Sequence, residues 1–231
     1  METALYVFCF ARAEACHAAL GPGLDEGMAL RTLTHGDIAA LCCEVPRDDW
    51  VGARGEANLK DLAWLGPRAI RHEQVIEQVM ETSPVLPLRF GCLFSSEDRV
   101  RATLARAGGR VAAFLEEANE REEWSLKGFF DASTCGARTG VKAAEEEALA
   151  ALADLVLARR ARRTARIPEG SSKEVAFHWA LLLPRGAARS LEERLQSVAA
   201  RLSTQGLTLE ARGPWPPFGF APSLDEEPAE H

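Results

Sequence analysis

The sequence predicts an α+β protein made of two ferredoxin-like α/β sandwich domains. Three observations lead there. Apolar runs of strand length and helical stripes follow one another in mixed order, roughly βββ-αα-β-α and then β-α-β-α-β, with helices long enough to cover a sheet face. A polar run, "EEANEREE" at 116–123, interrupts that order midway. And 231 residues at 47% hydrophobic can bury two modest cores. The expected division is 1–119 for the first α+β domain, 120–222 for the second, and an acidic disordered tail at 223–231.

Each element has its own justification. Leu5, Val7 and Cys9 alternate with Tyr6, Phe8 and Phe10, as in a strand buried on both faces. "ARAEACHAAL" adds a short helical turn, "GPGLDEG" a loop, and "MALRTLTHGDIAALCCEVP" a hairpin turning at His35-Gly36-Asp37. The stretch from Gly55 to Ser83 is helical but contains Gly66-Pro67, which predicts one helix to Leu65 and another from Pro67. "SPVLPLRFGCLF" reads as a strand with Leu86, Leu88, Phe90 and Cys92 on one face and Pro87, Arg89 and Gly91 on the other. Pro87 lacks a ladder donor, which puts this strand at an edge or on a bulge.

Ser95 and Asp98 form a capping pair for the next helix, whose stripe is Val100, Leu104, Val111 and Leu115. "WSLKGFF" opens the second half as a strand. After the loop "DASTCGARTG", residues 141–166 read as one helix, acidic at its start and arginine-rich at its end, as the helix dipole favours. "KEVAFHWALLLP" is a strand. Ser190 and Glu193 cap a helix with the stripe Leu191, Leu195, Val198 and Leu202, and "LTLEA" returns as the last strand.

Composition narrows the function. With 27 Lys+Arg against 34 Asp+Glu the formal charge is -7, which argues against nucleic acid as a partner. The apolar N-terminal run is too short to span a bilayer and lacks a basic flank, so neither a membrane partner nor a targeting segment is expected, and the location read is cytoplasmic. The six cysteines form no CxxC and read as free, buried thiols. No catalytic, cofactor or metal site is expected. "GPGLDEG" misses the dinucleotide spacing, and Pro22 removes a donor that a phosphate needs. His72-Glu73 is not followed by a histidine at 76, and the other histidines share no ligand spacing with the cysteines. His72 lies on an apolar stripe and reads as a packed histidine bonded to backbone. The arginines at 159, 160, 162, 163 and 166 read as a solvated helix end, or as a contact for an acidic protein.

Two strings are poorly explained by structure alone, "VLPLRFG" at 85–91 and "GPWPPFGF" at 213–220. In form Pro214 to Pro217 is PxxP, but Arg212 is not placed as such ligands require. With "LYVF", "DIAALCCEVP", "HEQVIEQVMETSPVLPLRFGCLF" and "EEWSLKGFF", these strings resemble, in order and over nearly the whole chain, the gas vesicle protein L/F family (GvpF/GvpL). Phe218 stands where the family usually has tyrosine. The segment 131–172 is short and lacks the family's tyrosine-leucine stretch, so the second domain is expected to be trimmed.

The resemblance implies a non-enzymatic accessory protein of gas vesicle assembly, associated with the vesicle. Its partners would be the small hydrophobic shell subunit and other accessory proteins, with no cofactor. Candidate partner-binding or domain-junction residues are Leu86, Pro87, Leu88, Arg89, Phe90 and Gly91, together with Trp215, Pro216, Pro217 and Phe218. The strand is expected to accept a partner strand by β-augmentation. Trp215 is open to two roles, a buried clasp or an exposed aromatic anchor. A different class, a small-molecule sensor or enzyme on paired ferredoxin-like domains, requires a polar pocket between the domains that the sequence does not supply.

Overall fold

A computed structural model describes residues 2–18, 21–131, 139–162, 173–204 and 206–224. The chain forms two compact units. One holds residues up to Asn119 together with the described stretch that begins at Pro216, and the other runs from Glu120 to Trp215. The C-terminal stretch from Pro216 thus groups with the N-terminal half, whereas the sequence places it with the second. Each unit is α+β with an antiparallel sheet.

In the first unit β1 (Thr3–Arg12), β2 (Leu30–His35), β3 (Ile38–Pro46), β4 (Val85–Pro87) and β5 (Leu93–Phe94) form a sheet of order β2-β3-β1-β4, with β5 also on β1. The hairpin between β2 and β3 turns at Gly36, as expected, with His35 opposite Ile38. Between β1 and β2 the described residues form the 3₁₀ turn Ala15–Ala18 and a loop pinned by the Pro22–Ala29 bridge, where a ferredoxin-like unit usually has a helix.

Helices cover both faces of this sheet. Helix α2 (Leu62–Met80) buries Val75, Ile76 and Val79 with Tyr6, Phe8 and Leu41. Helix α3 (Glu97–Ala118) packs against β1 to β4 and buries Val100, Leu104, Val111 and Leu115, the expected stripe. That double cover is why β1 is apolar on both sides, with Leu5, Val7 and Phe10 as deeply buried as Tyr6 and Phe8.

Three local expectations are corrected here. Helix α1 (Gly52–Asn58) ends before Asp61, whose side chain caps α2 by accepting from the Ala63 N–H at 2.9 Å. Helix α2 then runs through Pro67 instead of breaking there. The carbonyl that Pro67 leaves without an i→i−4 donor belongs to Ala63, which is exposed and open to water. At α3 the cap is Ser96, not Ser95; its hydroxyl accepts from the Arg99 N–H at 3.3 Å.

The second unit contains β6 (Arg121–Asp131), α4 (Thr139–Ala150), β7 (Ala158–Ala161), β8 (Lys173–Pro184), α5 (Ala188–Thr204) and β9 (Leu207–Trp215). Its strand order, β7-β8-β6-β9 with every pair antiparallel, is that of a complete βαββαβ ferredoxin-like unit. The core joins Leu126, Phe177, Leu181 and Leu183 of the sheet to Ala148 of α4 and to Leu191, Leu195, Val198 and Leu202 of α5.

Strand β7 departs from expectation, because the arginine run is not a helix end. Helix α4 stops at Ala150, and Arg159 and Arg160 pair with β8. The Arg159 guanidinium lies 4.7 Å from the Trp179 ring centre, and Arg162 pairs with the buried Glu123 carboxylate at 2.8 Å. Arg163 and Arg166 lie outside the described residues. Ala, Leu and Arg favour helix locally, but pairing with an apolar central strand overrides that preference. Strand β9 also extends past "LTLEA" to take in Gly213-Pro214-Trp215.

Gly213 is confined by its neighbours. A Cβ there would sit 2.8 Å from the Trp124 ring and 2.9 Å from the Glu123 carbonyl oxygen. Gly213→Ala is therefore expected to destabilise the second unit by about 1–3 kcal/mol through overpacking. Urea unfolding followed by hydrogen exchange in β6 and β9 measures this, and unchanged protection would count against the contact.

Candidate functional site

The first unit brings Leu88 and Phe90 of one unexplained string and Phe218 of the other onto a single side chain, His72. Helical spacing in α2 turns His72 inward with Val75, Ile76 and Val79, and only 1% of it is exposed. Around it lie Tyr6 (ring centres 5.6 Å apart), Phe8 (5.8 Å), Phe90 (5.6 Å) and Phe218 (6.3 Å). Trp50 extends the cluster, 5.0 Å from Tyr6 and 5.4 Å from Phe90, and Trp64 packs 5.0 Å from Trp50.

The imidazole is fully satisfied, and its partners fix its proton. Its Nε2 lies 3.1 Å from the Leu88 carbonyl oxygen, which can only accept, so Nε2 carries the hydrogen. Nδ1 then accepts from the Tyr6 hydroxyl at 2.8 Å, and that hydroxyl in turn accepts from the Gly91 N–H at 3.2 Å. The chain runs Gly91 N–H to Tyr6 O–H to His72, and from His72 to Leu88. It joins β1, α2 and the turn between β4 and β5.

Burial pushes His72 down to about 4, against a smaller upward pull from the Leu88 bond, and pushes the Tyr6 phenol well above its usual range. Both groups are neutral at pH 7. The neighbouring Glu73 is pushed up to about 7, by burial first and by Glu77 second. Burial raises the thiols too, to about 12 for Cys16 and Cys42 and about 11 for Cys43. They are protonated and behave as small apolar residues. Among the described residues no group of three or more His, Cys, Asp or Glu side chains is placed to hold a metal ion.

The candidate residues from the sequence fall into three groups. Leu86, Pro87 and Leu88 are buried: β4 is last in the hydrogen-bonded order, yet α2 and α3 both pack against it. Arg89, Phe90 and Gly91 form the turn between β4 and β5, with Arg89 exposed, Phe90 in the aromatic cluster and Gly91 at φ +85°, a conformation that glycine adopts at little cost. The terminal string divides between the units. Trp215 pairs with Glu123 at the end of β9 and keeps 38% of its surface exposed. Pro216 and Pro217 are buried, and Phe218 packs against His72 in the first unit, where the ring needs no hydroxyl partner.

A family model described as gas vesicle synthesis protein GvpL/GvpF matches residues 4–140 and 136–222. The chain belongs to the GvpL/GvpF family. A curated relative, gas vesicle protein L of Streptomyces sp. (strain CB03234), is 35% identical over 97 residues; the match covers 42% of this chain and 36% of that protein's length. Two solved structures share the GvpL/GvpF fold. The gas vesicle protein GvpF of Anabaena sp. PCC7120 superposes with a TM-score of 0.78 at 16% identity, covering 99% of this chain and 100% of that one. GvpF of Microcystis aeruginosa gives 0.65 at 13% identity, covering 95% and 99%.

Within this GvpL/GvpF fold the sequence singled out His72 and the two strings but missed Tyr6, Trp50 and Trp64 as their partners. One signal was available: Tyr6 is the only tyrosine in the chain, set in the apolar run from Ala4 to Ala11.

The depressed His72 pKa gives a signed prediction. The unfolded imidazole, at about 6.5, takes up a proton as pH falls while the folded one resists until about 4. The stability that this neutral His72 contributes is therefore complete above pH 6.5 and is lost on going down to 4, by about 3 kcal/mol. In His72→Gln, which cannot titrate, that acid-side slope disappears, and the stability gap to the parent protein narrows between pH 7.5 and 4. Hydrogen exchange of β1 amides reads it; a gap independent of pH would refute the assignment. Separately, Tyr6→Phe strands the buried Nδ1 of His72 and is expected to cost about 1–3 kcal/mol, measured by urea unfolding at pH 7.5.

Proposed function

We propose that this chain is a non-catalytic accessory protein of gas vesicle assembly, and that it binds the small hydrophobic shell subunit and other accessory proteins to assist nucleation or delivery. The observation that supports this is the family match running from residue 4 to residue 222, through both units. A gas-filled shell requires an apolar inner face, so its free subunits would expose contiguous apolar surface and aggregate unless something covers it. An acidic carrier with net charge -7 stays dispersed while doing so. No helix among the described residues is long and apolar enough to cross a membrane.

Within this reading Trp215 acts as the exposed aromatic anchor, since its ring is open to solvent at the end of a strand. Leu88, Phe90, Gly91 and Phe218 serve the His72 cluster instead, through the Leu88 carbonyl, the Gly91 N–H and the two rings. The enzymatic alternative has no observation in its favour.

Deletion of the gene in its host, followed by electron microscopy, is expected to abolish or sharply reduce gas vesicles; normal vesicles in the absence of a paralogue would sink the role. For the anchor, Trp215→Ala is expected to weaken capture of the purified shell subunit about tenfold or more with an unchanged melting temperature. A large loss of stability would make Trp215 a clasp.

A further inference from the structure

The outward face of α2 is built against its own helix. Leu62 is 79% and Ile70 62% exposed, and helical spacing places Gly66 between them, where an added Cβ would meet nothing. One to three turns further along, the same face carries Glu73, Glu77 and, at the C-cap, Glu81. These carboxylates follow one another at i, i+4 spacing, where like charges repel. They also crowd the negative end of the helix dipole, and the last turn has no basic residue.

The helix's own cations do not relieve this. Arg68 pairs with Asp25 at 2.7 Å, and Arg71 donates to the carbonyls of Pro22 and Gly23 on the opposite side. Glu73 and Gln78 each leave a buried side-chain oxygen without a hydrogen-bond partner. Burial together with Glu77 pushes the Glu73 carboxyl up to about 7, as expected where a cation is missing.

An exposed apolar half and an uncompensated acidic half, in line over about 28 Å, are of no use to an isolated helix. We infer that the face formed by Leu62, Gly66, Ile70, Glu73, Glu77 and Glu81 docks an amphipathic helix of a partner protein, one with apolar residues along one half of its contact stripe and lysines or arginines along the other. Charge complementarity selects this occupant. A second copy of the chain would set carboxylates against carboxylates unless it were offset or antiparallel, and an anionic membrane surface would be repelled. Gly66 lets the partner backbone approach closely at the middle of the apolar half. The surface belongs to the first unit and holds whichever component supplies the helix.

The test uses the full chain and two labelled synthetic helical peptides of about twenty residues. One has a stripe of leucine and alanine followed by lysine; the other has glutamate in place of lysine. Fluorescence anisotropy is expected to show saturable binding of the lysine peptide, weakened at least tenfold by Ile70→Asp, by Leu62→Asp and by the double change Glu77→Lys, Glu81→Lys. The double variant is expected to take up the glutamate peptide instead. All these positions lie on the outward face, and circular dichroism with the thermal midpoint checks each fold; the two apolar variants are independent of each other. No binding of the lysine peptide, or equal binding by parent and variants, overturns the proposal. So does sedimentation showing that the parent protein dimerises through this face and that Ile70→Asp abolishes the dimer.

Discussion

The neutral imidazole of His72 is the constraint around which the first unit is arranged. Its two nitrogens demand one donor and one acceptor in a place where water cannot serve, and both come from distant parts of the chain: Tyr6, 66 residues away, and Leu88, 16 residues away. Meeting that demand settles local geometry elsewhere. The Leu88 carbonyl must face α2. The chain must then turn sharply at Arg89 to Gly91, so that the Gly91 N–H completes the Tyr6 hydroxyl. Edge pairing to β1 is interrupted there, between β4 at Cys9 to Ala11 and β5 at Leu5 and Tyr6, and β1 is irregular between Val7 and Cys9 at the same level. An apolar side chain at 72 would fill the space but impose none of these orientations.

The two units reach one strand order by different means. The second has both crossover helices, α4 and α5, and its βαββαβ order is complete. In the first, a 3₁₀ turn and a bridged loop replace the first crossover, and α3 covers the sheet face that would otherwise be bare. Cover on both faces is what makes β1 a continuous apolar run, while β8 keeps His178 among its apolar residues and lets Ser125 hydrogen-bond to it at 2.8 Å.

That difference also explains how far the sequence could be read. Where burial is one-sided, periodicity was decisive: the stripes of α3 and α5, residue by residue, and the hairpin at Gly36 stand as expected. The α+β class with ferredoxin-like units followed from those patterns, and the family from the two strings. Features set by tertiary pairing were not legible. Strand β7 is written in helix-favouring residues and exists because β8 offers an edge. Helix α2 continues through Pro67, where the freed carbonyl belongs to the exposed Ala63. Of the site, His72 as a packed, backbone-bonded histidine was readable from its place on an apolar stripe. Its link to Tyr6 was not, since nothing local marks a contact across 66 residues.

Burial settles where this molecule keeps its charge. Inside, His72 is held below its usual range, and Tyr6, Cys9, Cys16, Cys42 and Cys43 above theirs, so each is uncharged at neutral pH. The net charge of -7 is therefore carried by the remaining, mostly exposed groups, some of which stand in ion pairs such as Arg194 with Asp154 and Arg189 with Glu193. Against that background the C-terminal half of α2 stands out because, among the described residues, no cation pairs with its carboxylates, next to apolar side chains that face water. Isolated surface charges are ordinary, and so are single exposed leucines. Their alignment on one helix face, at an end where the backbone dipole already disfavours negative charge, costs helix stability for no internal return. A cost that nothing inside the fold offsets is best accounted for by something outside it.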